Sequence, residues 1–353
     1  MKTESYFYRD KPIFGLDIGF SSMKVMQIDA SDKPAIVGYG VGSFDPSIIK
    51  DGVIIDHEAL AKAADELFKS KITGEISTKR VSFTIPASRT FSRVIKLPTL
   101  NDSELAEAVK TEAEQYIPVP INELYMDYDV IGRTDKEIEL FAVAVPKKII
   151  DSYMMFSRLI GLEVVAMEST IGAAARLFLK TNAHDIPTVL IDFGSVSTDI
   201  TIFDRTLIVT GTVSGGGDIF SDKIAKALSV TKAEADVIKT KYGLDFSKKQ
   251  KEISAALKPF LDQLLKEISR MIRYYEERYG SERKLAQVVT MGGGANMPGL
   301  NEYLTNQLRL PVQTSDPWQH ISYSKFDPPT GIQRSMYVTV SGSAFINSGE
   351  IFS

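Results

Sequence analysis

Cysteine is absent from the 353 residues. That excludes a disulfide scaffold, a thiolate zinc site, a cysteine nucleophile and an iron–sulfur cluster. Histidine is nearly absent. His57, His184 and His320 lie far apart with no HExxH-like spacing, which argues against an imidazole metal site. No run of 18 apolar residues occurs, and the longest stretches, such as 140–146 (LFAVAVP), suit a buried strand. Residues 1–11 (MKTESYFYRDK) lack the apolar core of a signal peptide. A cytoplasmic location is therefore expected. There is no long Lys/Arg block, and 41 basic against 45 acidic residues leave a net charge of −4, so no nucleic-acid footprint is expected. Hydrophobic residues at 44% and charged residues at 24% are enough to build cores. The length suggests about two domains.

What is present is an internal repeat. Residues 15–29 read GLDIGFSSMKVMQID and residues 190–204 read LIDFGSVSTDITIFD. At a constant offset of 175, Asp17 superposes on Asp192, Gly19 on Gly194, Ser22 on Ser197 and Asp29 on Asp204. In each copy an apolar strand ends in Asp-x-Gly, crosses a Ser-rich turn and resumes as an alternating strand. Turn residues follow at 30–34 and 204–205, then a third strand. Two such hairpins imply a duplicated fold.

The helices are well punctuated. Asp56 can cap a helix over 57–70, and Asn101 with Glu104 opens one that ends near Tyr116. Pro146 opens a helix that Gly161 closes; Thr231 with Glu234 opens another, closed by Gly243. A long helix over 252–279 stops at Gly280, with Pro259 either a kink or a second start. A helix over 299–308 follows Pro298. Strands are expected at 81–85, 92–97, 125–131, 138–144, 164–167, 189–191, 207–213 and 288–291. Residues 81–166 read as a compact mixed block inserted after the first hairpin unit.

Three glycine-bearing turns carry the candidate chemistry: Asp17-Ile18-Gly19-Phe20-Ser21-Ser22, Asp192-Phe193-Gly194-Ser195-Val196-Ser197, and Met291-Gly292-Gly293-Gly294-Ala295-Asn296. Glycine lets backbone N–H groups approach an anion, and hydroxyls add donors. A carboxylate at a strand end can bind Mg²⁺ through water, or polarise an attacking water. Each turn alone reads equally well as a plain turn. No GxxxxGK[ST] loop and no complete GxGxxG is present.

Taken together, the two Asp-x-Gly hairpins and the following glycine turn resemble the actin/Hsp-chaperone/sugar-kinase ATPase superfamily. The segment 168–174 (ESTIGAA) looks like its first connecting helix and 337–345 (YVTVSGSAF) like its second. Gly215-Gly216-Gly217-Asp218, followed by Lys223, looks like the turn that meets ribose and base. The resemblance implies an α/β, actin-like (ribonuclease H-like) duplicated fold. Among its branches, the insert, the run 112–120 (EAEQYIPVP), the run 124–128 and the opening 14–24 are similar to the PilM family of type IV pilus proteins, a relative of FtsA. The segment 344–353 has no Lys or Arg and makes a poor amphipathic anchor, unlike the usual FtsA tail.

The resemblance implies subdomain 1A at 1–80, 167–187 and 336–353, subdomain 1C at 81–166, 2A at 188–230 and 284–335, and 2B at 231–283. It implies ATP and Mg²⁺ as ligands. Asp17 and Asp192 would serve the metal. Gly19, Ser21, Ser22 and Lys24 would face phosphate in the first hairpin, Gly194, Ser195 and Ser197 in the second. Gly216 and Lys223 would meet ribose or base, and Gly292, Gly293 and Gly294 adenosine. Glu168 would position water, for slow hydrolysis at most. Lys24 reads equally as a solvated strand residue, Lys223 as a surface lysine, Glu168 as a helix cap and Asn296 as a turn cap. The implied partner is the N-terminal cytoplasmic tail of a PilN-like membrane protein in a groove between 1A and 1C. The protein would then be a cytoplasmic adaptor at the inner face of the membrane. Apolar residues of 81–97 and 112–128 are candidates for that groove, though they read more readily as core. A polymerising FtsA-like ATPase and a small-molecule kinase, with Asp218 as the candidate catalytic aspartate, are the competing readings.

Overall fold

The computed structural model describes residues 11–29, 33–181, 186–280, 283–323 and 326–351. His184, most of the first eleven residues, the turn positions 30–32 and the last two residues lie outside them. The chain forms two compact units, residues 1–173 with 340–353, and residues 174–339.

Unit 1 opens with β1 (Phe14–Ile18), β2 (Ser22–Asp29) and β3 (Ala35–Ser43). The short strands β4 (Ile49–Lys50) and β5 (Val53–Ile54) lead to α1 (His57–Ser70), β6 (Ile72–Gly74) and β7 (Arg80–Ile85). Then come β8 (Phe91–Pro98), α2 (Asp102–Glu114), β9 (Leu124–Arg133), β10 (Glu137–Pro146), α3 (Lys147–Leu159) and β11 (Glu163–Ser169). The main sheet runs β11-β7-β1-β2-β3-β6. β1 pairs antiparallel with β2 and parallel with β7. Central strands that are covered on both faces need near-continuous apolar runs, and all five residues of β1 are buried.

The chain passes into unit 2 within α4 (Thr170–Thr181). There follow β12 (Thr188–Phe193), β13 (Ser197–Asp204), β14 (Thr206–Ser214), α5 (Gly217–Leu228), α6 (Lys232–Lys241), α7 (Gln250–Tyr279), β15 (Gln287–Met291), α8 (Leu300–Leu308) and β16 (Val312–Thr314). Helix α9 (Val338–Ala344) returns to unit 1. The second sheet runs β14-β13-β12-β15-β16. Strand for strand it repeats β3-β2-β1-β7-β11, with the same parallel and antiparallel pairings. The repeat seen in two hairpins thus extends to five strands of each sheet.

The capping signals hold. Asp56 accepts from Ala59 N, and the Asn101/Glu104 and Thr231/Glu234 pairs form complete capping boxes. Helix α7 continues through Pro259. Two expectations need correction. The block 81–166 is too wide, because β7 and β11 belong to the main sheet and Ile149, Tyr153 and Phe156 of α3 join its core. The separate antiparallel sheet, β8-β10-β9, with α2 against it, spans residues 91–146. Glu168 sits in β11 and not at a helix start, and α4 begins at Thr170.

Close packing inside unit 1 explains the small residues of the helix read as the second connecting helix. A Cβ on Gly342 would lie 1.8 Å from the Ala173 carbonyl oxygen, and one on Gly15 would lie 2.5 Å from that of Val340. Helix α9 therefore presses its backbone against both α4 and β1.

Candidate functional site

In unit 1 the first hairpin turns tightly because Gly19 N–H donates to the Ser22 carbonyl at 2.9 Å. Among the described residues the N–H groups of Phe20 and Ser21 have no acceptor. Asp17 is buried, and both its oxygens are engaged. Lys24 Nζ donates to Oδ2 at 3.1 Å and Thr84 Oγ1 donates to Oδ1 at 2.6 Å. Lys24 is thus neither a solvated strand residue nor a free cation. Its β-strand register sets it directly across from Asp17, and it is 9% exposed. Thr84 was missed by sequence reasoning because it lies on β7, brought alongside only by the parallel pairing of Asp17 with Thr84.

Unit 2 repeats the turn. Gly194 N–H donates to the Ser197 carbonyl at 3.0 Å, and the N–H groups of Ser195 and Val196 have no acceptor among the described residues. Here two further glycine segments converge on it. Gly217 N–H donates to the Gly194 carbonyl at 2.8 Å and Asp218 N–H to that of Ser195 at 2.9 Å. A Cβ on Gly216 would stand 2.2 Å from the Gly194 oxygen. So the N-terminus of α5 is stitched to the hairpin turn, and only glycine fits the approach. From the other side, Gly292 (φ +82°) lies under Asp192, where a Cβ would come 2.3 Å from Oδ1. Gly294 packs on Phe193, while a Cβ on Gly293 would meet nothing within 4 Å. Gly293 leaves open space beside the turn, and the other two close it.

The brace behind this turn comes from Ser335, whose Oγ donates to the Gly292 carbonyl at 2.9 Å and whose carbonyl accepts from Gly292 N–H at 3.1 Å. Asn296 Nδ2 donates to Ser335 Oγ at 2.7 Å, so its side chain holds the turn in place. Lys239 Nζ donates to the Gly217 carbonyl at 2.9 Å and also meets Ser221 and Asp236. No sequence spacing linked Lys239 to that glycine, 22 residues away. Lys223 is half-buried on α5, and no hydrogen bond or ion pair among the described residues ties it to the turns.

Electrostatically the two copies differ. Asp199 is the cross-strand partner of Asp192, so two carboxylates face one way where unit 1 has a carboxylate and an ammonium. Asp199 is 8% exposed and accepts from Thr212 Oγ1 at 2.6 Å. Burial outweighs that hydrogen bond and pushes its carboxyl up to about 6. No group of three or more His, Asp or Glu side chains among the described residues is placed to hold a metal. A pair of carboxylates is the donor set Mg²⁺ takes when phosphate oxygens and water complete its shell.

The cap of α4 is Ser169, whose Oγ accepts from Gly172 N–H at 3.0 Å. Glu168, half-buried and just before that cap, has its carboxylate beside the first turn, 3.7 Å from where a Gly172 Cβ would be. Of the apolar residues in 81–97 and 112–128, Ile95, Leu97, Ala113, Ile117 and Leu124 are core. Tyr125 is 47% exposed, with its hydroxyl donating to Asp151 and Lys147 Nζ 5.4 Å from its ring centre.

With this geometry in hand, comparison with known proteins settles the family. The model of the family described as "Type IV pilus assembly protein PilM" matches residues 15–345. The chain belongs to the PilM family. A PilM-PilN type IV pilus biogenesis complex matches with a TM-score of 0.81 at 22% identity, covering 95% of this chain and 98% of that one. MreB5 of Spiroplasma citri, solved bound to AMPPNP, matches with a TM-score of 0.51 at 13% identity over 94% of this chain and 95% of that one. Cell division protein FtsA of Staphylococcus epidermidis is 21% identical, over 86% of this chain and 74% of its own length. These solved neighbours bear out the actin-like duplicated fold. Among the described residues no helix is long and apolar enough to cross a membrane.

Proposed function

We propose that the protein is a nucleotide-binding adaptor of type IV pilus assembly. The observation that carries this reading is the convergence in unit 2 of Gly194, Gly216–Gly217 and Gly292 on one turn beside two carboxylates. The N–H groups of Ser195 and Val196 would receive phosphate oxygens. Asp192, with Asp199 beside it, would hold Mg²⁺, which shields the charge of the bound phosphates. The open face at Gly293 would admit the adenosine. Gly19, Ser21 and Ser22 of unit 1 form the same turn and are assigned to phosphate as well. There Asp17 serves to hold Lys24, since Lys24 and Thr84 already take its oxygens. Lys223 is assigned to base or ribose and Glu168 to water. Turnover would be slow at best. The partner would be the N-terminal cytoplasmic tail of a PilN-like membrane protein. It would dock in unit 1 between the main sheet and the β8-β10-β9 layer, near exposed Tyr125. Membrane location would follow from that partner.

The test is titration of a labelled peptide, the N-terminal tail of the same organism's PilN-like protein, with and without Mg-ATP. Saturable binding that is lost on scrambling supports the adaptor. ATP binding without peptide binding favours the filament-forming reading that the FtsA likeness keeps open, which sedimentation in ATP would then test.

A further inference from the structure

Between α6 and α7 the chain makes a short, well-anchored loop. Tyr242 N–H donates to Ile238 O, Leu244 N–H to Pro298 O at 2.7 Å, and Gln250 Nε2 to Leu244 O at 2.9 Å. Gly243 (φ +48°) lies so near Pro298 that a Cβ would stand 2.4 Å from its oxygen. Leu244 is sunk in the core at 8% exposure, whereas Phe246, two residues on, is 97% exposed. An anchored loop thus projects a whole phenyl ring into water, which is unfavourable relative to burying it.

Lysines flank this ring along the chain. Lys241, Lys248, Lys249 and Lys251 are all exposed, and none forms an ion pair among the described residues. Asp245 and Glu252 are the acids of this stretch. On a chain of net charge −4, residues 241–251 carry four lysines and one acid. The lysines at 248, 249 and 251 also crowd the N-terminus of α7, where Lys249 is the N-cap and makes no side-chain cap bond. Cations there oppose the helix dipole, so the arrangement lowers the stability of the isolated fold and strengthens attraction to an anionic surface.

We propose that residues 241–251 dock on an anionic lipid membrane, Phe246 inserting at the headgroup level while Lys241, Lys248, Lys249 and Lys251 face lipid phosphates. An exposed apolar tip on a short loop that also carries several long cationic side chains is the pattern of interfacial attachment. A single-stranded nucleic acid would need several aromatic platforms, and the ring of Tyr242 is already faced by Lys241 Nζ at 5.3 Å. A protein hot spot would have apolar neighbours to exclude water, and Phe246 has lysine, serine and aspartate along the chain. Each lysine adds a modest, salt-screened attraction to an anionic surface, so attachment through this loop is weak, salt-sensitive and additive to recruitment through a partner.

The test uses full-length protein carrying Phe246→Trp. The one native tryptophan, Trp318, is 4% exposed and gives a steady background. Vesicles of phosphatidylcholine with roughly one third phosphatidylglycerol should shift the emission of the new tryptophan to the blue, and pure phosphatidylcholine should not. Lys248→Glu/Lys249→Glu should lower the vesicle partition at least about tenfold. Phe246→Ser should lower it too, with an unchanged melting temperature. The proposal is overturned by unchanged emission, by equal binding to neutral vesicles, or by binding that survives the charge reversals. It is equally overturned if Phe246 governs self-association or oligonucleotide binding while vesicles are ignored.

Discussion

Lys24 and Asp199 occupy the same place in the two copies of the hairpin, each directly across the ladder from an aspartate, and they carry opposite charge. In unit 1 the pair is neutral and closed, Lys24 Nζ resting 3.1 Å from Asp17. In unit 2 the pair is acid against acid. This difference favours unit 2 over unit 1 for the proposed Mg²⁺ site.

Lys24 should be a stability residue as well as a turn residue. Lys24→Met would leave Asp17 buried beside only Thr84, and breaking one side of a buried pair costs about 3–5 kcal/mol. Thermal or urea unfolding should show that loss, and adding Asp17→Asn should restore most of it. A Lys24→Met protein as stable as the parent would contradict the ion pair.

Asp199 should make stability depend on pH. Its carboxyl is raised in the fold to about 6, from an ordinary 3.8, by burial. The folded state therefore holds the proton more tightly than the unfolded chain. The stability this contributes is complete below the unfolded value and is lost as pH rises through about 6. Asp199→Asn should be the more stable protein at pH 7, by an amount on the order of 2–3 kcal/mol, and the two should converge near pH 4. The comparison is made without nucleotide or divalent cation. Identical melting curves at pH 7 would refute it.

Gly292→Ala should abolish nucleotide binding and cost stability. The new Cβ would fall 2.3 Å from Asp192 Oδ1 at a φ of +82°, so the turn and the carboxylate must both move. Gly293→Ala, with open space around it, should keep the fold. Calorimetric titration with Mg-ATP separates the two. Asp192→Ala should weaken Mg-ATP binding at least about tenfold without unfolding, and unchanged affinity would remove Asp192 from the site.

Gly342→Val should be among the most damaging changes in unit 1. Its Cβ has no room against the Ala173 carbonyl. Overpacking typically costs 1–3 kcal/mol, and more where backbone must move. Circular dichroism melts would measure it. A variant that melts with the parent would show the helices to be further apart than found.

Much of the architecture follows from local sequence. The capping boxes at Asn101 and Thr231, the cap at Asp56 and the closing glycines at 161, 243 and 280 are signals within a few residues of the structure they cause. The Asp-x-Gly repeat is equally local, because a hairpin turn is made by its own hydrogen bonds, such as Gly19 to Ser22. Tertiary structure decided whatever depends on which strand lies next to which. Residues 81–85 and 163–166 look like parts of the insert along the chain, yet they join the main sheet, because β7 pairs parallel with β1, where all six of its residues are buried, and β11 pairs parallel with β7. Thr84 reaches Asp17 through parallel strand pairing, Ser335 braces Gly292 through a long-range backbone bond, and Lys239 reaches Gly217 because α6 packs on α5; none of these is local in sequence. The sequence by itself determined the repeat, the turns and the helix ends. Only the folded chain decided that Lys24 is paired and buried while Asp199 is buried beside a second acid, because burial and cross-strand register are properties of the assembled sheet.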